Sequence, residues 1–89
     1  MTHIIKIQKP YADAVLDGRK NFEVRLNDRG YNAGDKVLFT VMDGDFSNLS
    51  HPLNKKGYDI TYVHSGLGLE QGYVVFGIKE RGDNHERNI

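Results

Sequence analysis

The chain has 89 residues, enough for one compact core, and a domain of this size buries roughly 60% of the surface that its unfolded chain exposes. Twelve Lys and Arg side chains balance twelve Asp and Glu, which argues against a protein that coats nucleic acid through bulk charge, so any such contact must come from a local patch. With no cysteine, disulfides and thiolate metal sites are excluded, and no apolar run is long enough to span a membrane.

The opening "MTHIIKIQKP" lacks the apolar region and small-residue cleavage site of a secretory leader, so it reads as the start of the fold itself. A cysteine-free chain without a leader is expected in the cytoplasm. Within that opening, His3 to Ile7 is short, β-branched and apolar, the pattern of a first strand. A helix follows at once in "KPYADAVLDGR". Pro10 suits its first turn, Tyr11, Ala14 and Val15 recur at the spacing of one buried face, and Gly18 is placed to end it in the left-handed conformation. A helix this short must dock on a sheet.

"KNFEVRL" alternates, with Phe22, Val24 and Leu26 expected on the core face of a second strand and Asn21, Glu23 and Arg25 on its polar face. "NDRGYNAGD" is turn chemistry, and residues 36–43 form the next strand. From Gly44 to Gly57 the periodicity disappears, which predicts a long mobile loop. Residues 58–65 alternate again, with Tyr58, Ile60, Tyr62 and His64 on one face, and after the Gly-punctuated "GLGLEQG" residues 73–80 make a last strand. Residues 81–89 read as a frayed polar tail behind a single domain spanning 1–80. The fold class is α+β, mainly β: a small, mostly antiparallel five-stranded barrel or curled sheet, with one short helix between its first two strands.

Charge concentrates in "GRKNFEVRLNDRG", residues 18–30. Glu23 and Arg25 lie two apart on one strand and share a face, and Lys20 can join them if it leaves the helix through the turn at Gly18. Spacing supports two readings of this cluster. It is either a site where a guanidinium fork, an ammonium and a carboxylate meet a polar or anionic ligand, or a solvated face carrying ordinary ion pairs.

At these residues the chain resembles a known family. "GRKNFEVR" fits the Gly-x-Lys-x-x-Glu-x-Arg signature of ASCH domains, PUA-like β-barrels proposed to bind RNA. "NDRGYNAGD" and "GLGLEQGYVVFGI" are similar to further elements of a small ASCH-like group, the DUF3850-like domains common in bacteria and phages. The resemblance implies a PUA-like barrel whose cleft beside the helix is lined by Lys20, Glu23 and Arg25, with RNA or a nucleotide-like molecule as ligand. Asn27, Asp28 and Arg29 would extend its rim, and Tyr31 is the tyrosine expected to stack on a base. Some relatives resemble amidohydrolases of acylated nucleosides that use a lysine, a threonine and a glutamate. Lys20 keeps that lysine, Glu23 stands where the threonine would be, and Glu70 is the one candidate for the distant glutamate, so Lys20 and Glu23 would be catalytic only if the chain is an enzyme. Other relatives resemble ribonucleases. A module whose strand edges pair with a protein partner is the remaining alternative.

No cofactor is expected, and the histidines at 3, 51, 64 and 85 lack the spacing of metal ligands. His64 and Ser65 are adjacent on a strand and point to opposite faces, which sets aside a nucleophile and base pair. Tyr58, Tyr62 and Tyr73 are expected to pack in the core or across strands, and "NKKG", residues 54–57, to be a solvated loop.

Overall fold

The computed structural model describes residues 1–82. The tail expected over 81–89 therefore lies mostly outside the described residues. In chain order the elements are β1 (Thr2–Gln8), α1 (Lys9–Leu16), β2 (Phe22–Leu26), β3 (Lys36–Asp43), β4 (Phe46–Ser47), a single 3₁₀ turn (Pro52–Lys55), β5 (Gly57–Ser65) and β6 (Tyr73–Glu80). The main path of the sheet runs β1-β3-β5-β6-β2, with β4 hanging on the end of β3. β1 and β3 are parallel, and every other pairing is antiparallel. The result is a mainly β, curled half-barrel. It is six-stranded rather than five, because Gly44 takes a positive φ of 61° and lets Phe46–Ser47 fold back on β3.

Inward side chains come from alternate positions: Ile5 and Ile7 of β1, Val37, Phe39 and Val41 of β3, Tyr58 and Ile60 of β5, and Val74, Phe76 and Ile78 of β6. Ala12 and Val15 of α1 close one side. The buried face of α1 is thus rotated from the expected one, and Tyr11 is 58% exposed. Gly18 adopts φ +86° and its amide donates to the Val15 carbonyl at 3.1 Å, which ends the helix as its sequence demands.

Three expectations are corrected by packing. First, the segment from Gly44 to Gly57 is not a structureless loop. Leu53 is completely buried, and Asn54 both accepts from the Val41 amide at 2.8 Å and donates to the Asn48 carbonyl at 2.6 Å. His51 is also buried, accepting from the Leu53 amide on Nδ1 and reaching Asp13 of α1 with Nε2. Second, β5 carries an irregularity between Ile60 and Tyr62. The extra residue flips the phase, so Val63 packs against the core while Tyr62 is 69% exposed.

Third, β2 is inverted. Glu23 is buried, whereas Phe22, Val24 and Leu26 stand on the outer surface at 42%, 49% and 51% exposure. Register dictates this. Glu23 lies opposite Phe76 and Arg25 opposite Val74, and directly opposed residues share a face. The outer apolar residues of β2 then continue onto Tyr73 and Val75 of β6.

Candidate functional site

Because β1 and β2 form the two ends of the sheet path and do not pair with each other, the half-barrel has a seam. Met1 accepts from the Lys36 amide, so the odd residues of β1 direct their peptide groups to β3 and the even ones face the seam. Arginine side chains span it. Arg25 Nη2 donates to the Lys6 carbonyl at 2.7 Å, and Arg29 Nη1 donates to the Ile4 carbonyl at 2.8 Å.

Beside these bridges lies a cleft of about 440 Å³, lined by Lys6, Ile7 and Gln8 of β1, Tyr11 of α1, Lys20, and Phe22, Glu23, Val24 and Arg25 of β2. This volume falls in the range of small-molecule sites, roughly 300–1,000 Å³. At its inner wall the Glu23 carboxylate receives Lys20 Nζ on Oε2 and Arg25 on Oε1, the latter from Nε at 3.0 Å and Nη2 at 2.9 Å. Lys20 gets there as the turn geometry requires. Its amide donates to the Ala14 carbonyl at 3.0 Å while its ammonium doubles back to the Phe22 carbonyl at 2.6 Å. Two cations on one anion leave one net positive charge, and the Lys6 ammonium adds to it at the rim.

Lys20, Glu23 and Arg25 are thus brought together. The fork of Arg25 is not free, however, since Nε and Nη2 are committed to Glu23 and Lys6 and the Nη1 edge alone lacks a partner among the described residues. The other expected site residues are elsewhere. Asn27 accepts from the Tyr31 amide at 3.1 Å and shapes the turn, Asp28 stands exposed beside Arg29, and Arg29 latches the seam. Tyr31 cannot stack on a ligand. It is 4% exposed, with the rings of His3 and Phe76 each 4.7 Å away, and burial raises the pKa of its phenol. Glu70 belongs to the β5–β6 connection and does not line the cleft.

The aromatic rings that do line it are Tyr11 and Phe22, with Lys20 Nζ 5.0 Å from the centre of the Phe22 ring. Periodicity alone places both in the core. The signal that could have found them is their position on either side of the Gly-x-Lys segment. Elsewhere, His64 donates to or accepts from no serine but lies 2.9 Å from the Leu67 carbonyl. Among the described residues no three His, Cys, Asp or Glu side chains gather as metal ligands, and no helix is long and apolar enough to cross a membrane.

The same topology occurs in a solved structure. The crystal structure of a hypothetical protein, PH0355, superimposes with a TM-score of 0.61 at 15% identity, covering 91% of this chain and 100% of the other, a likeness of fold alone. No curated protein matches the chain. The family described as Domain of unknown function (DUF3850) matches residues 2–78, nearly the whole of the half-barrel and all of the cleft, and the chain belongs to that family.

Proposed function

We propose that the protein is an ASCH-type, PUA-like module that binds RNA or a nucleotide in the seam cleft. The observation that carries this reading is the meeting, in one cleft, of the Lys20–Glu23–Arg25 cluster with the exposed rings of Tyr11 and Phe22. Stacking on aromatic side chains beside a modest positive charge is how unpaired bases are held without bulk electrostatics. A hydrolase reading gains less support. Among the described residues no hydroxyl nucleophile other than the Tyr11 phenol lines the cleft, and Lys20 and Glu23 are committed to one another.

Titration of labelled single-stranded and structured RNAs and of free nucleotides at low salt tests the proposal. Saturable binding is expected, weakened at least about tenfold by Tyr11→Ala or Phe22→Ala, the loss that one stacking contact represents. Absence of saturable binding to every RNA and nucleotide overturns it.

A further inference from the structure

The residues lining the cleft come in consecutive runs, 6–8 on β1 and 22–25 on β2. A hollow over one face of a sheet would be lined by every second residue, so this one runs along the strand edges themselves. On β2 the edge groups can be assigned. Ile78 donates to the Asn21 carbonyl and Asn27 to the Gly72 carbonyl, so residues 21, 23, 25 and 27 turn their peptide groups to β6, and those of Phe22, Val24 and Leu26 face the seam. The Phe22 carbonyl is taken by Lys20 and the Leu26 carbonyl by the Asp28 amide. Val24 alone of the three keeps both its N–H and its C=O without a partner among the described residues.

We infer that the Val24 peptide groups read the hydrogen-bonding edge of a planar heterocycle, so that the cleft takes the base of its ligand and leaves the phosphate outside. This deepens the RNA or nucleotide reading and rests on it. The N–H and C=O of one strand residue point the same way, a donor beside an acceptor, and every nucleobase offers the complementary pair on its Watson–Crick edge. Phosphate is the poorer occupant. Both cations at the inner wall already serve Glu23, and the Arg25 fork is spent on Glu23 and Lys6. An added peptide strand is poorer still, because the Arg25 and Arg29 bridges close the seam at Lys6 and Ile4 and leave no path for an extended chain. The rings of Tyr11 and Phe22 suit a flat apolar face.

The test compares nucleoside monophosphates with ribose 5-phosphate by calorimetry, on wild type, Val24→Ala and Val24→Pro. Proline removes the N–H at an edge position that no ladder bond uses, which is where strands tolerate it. Nucleotides are expected to bind at least about tenfold tighter than ribose 5-phosphate, and Val24→Pro to lose about tenfold where Val24→Ala loses little, as for a base acceptor left without its donor while the Val24 carbonyl contact remains. Hydrogen exchange on the unmodified chain serves should Val24→Pro fail to fold: the Val24 amide exchanges fast when free and slows when a nucleotide is bound. Ribose 5-phosphate binding as tightly as nucleotides, or Val24 exchange unchanged in a saturated complex, overturns the inference and leaves the proposed function standing. So does a folded Val24→Pro that binds nucleotides as wild type does. Failure of every nucleotide and RNA to bind removes the proposed function itself, and slowing of Val24 by an extended peptide alone reassigns the edge to strand addition.

Discussion

Glu23 has a carboxylate that is 4% exposed and two cationic partners that are 19% and 25% exposed, so almost all of its charge is compensated inside the protein rather than by water. Removing one member of such a group leaves the others uncompensated, which costs more than the intact group contributes. Glu23→Ala is therefore expected to lose about 3 kcal/mol in denaturant unfolding, and Lys20→Ala distinctly less, since its loss leaves Glu23 still paired with Arg25. Equal losses for the two would show that Glu23 is not the hub. Tyr58 makes a second prediction. Burial, with the Glu80 charge adding to it, pushes its phenol from 10.0 up to about 12. A raised pKa means stability fully present below the unfolded value and lost as pH rises through the folded one, so the protein should weaken progressively between pH 10 and about 12. Tyr58→Phe should flatten that limb of a pH-dependent melting series, and an unchanged limb would assign it to another group.

At the level of elements, the 3₁₀ turn is anchored by a single side chain. Leu53 is completely buried among core residues, and Leu53→Ala should cost about 2–5 kcal/mol by equilibrium unfolding. A loss below about 0.5 kcal/mol, the size of an exposed substitution, would mean the turn is a passenger on β3. The bulge in β5 has its own signature across the strand. A Cβ added at Gly77 would lie 2.5 Å from Thr61 Oγ1, so Gly77→Ala should destabilise, and Thr61→Gly should relieve it in the double variant. Additive losses would sink that coupling.

These elements also show how far the sequence could be read. β3 and β6 have the bounds their apolar periodicity predicts, and α1 follows from Pro10 and Gly18. The phase of β2 was not legible. Alternation distinguishes two faces but not which one meets the interior, and here pairing with Phe76 and Val74 turns the charged face inward. Leu53 gave no warning either, because one anchoring side chain has no period. In the cleft, the Lys20, Glu23 and Arg25 cluster was legible as a motif, while the lining by Tyr11 and Phe22 was hidden because an exposed aromatic at a core-like position looks the same in one dimension.

Across the whole molecule, the arginine bridges take the place of a sixth ladder between β1 and β2. Strand edges left open recruit other chains, and side chains capping the carbonyls blunt that tendency. Sedimentation of Arg25→Ala/Arg29→Ala should show larger species than wild type at equal concentration, the more so because Phe22, Val24 and Leu26 already present an apolar outer face. Unchanged sedimentation would show that the bridges do not guard the seam.

The order of the chain adds a last consequence. β2 carries most of the charged cluster, yet among the described residues its sole backbone ladder is with β6, the last strand they contain. During synthesis the β2 residues that line the cleft emerge early but have no strand to pair with until about fifty more residues have been made. The cleft is thus encoded first and completed last, because its β2 wall gains a backbone ladder when β6 arrives.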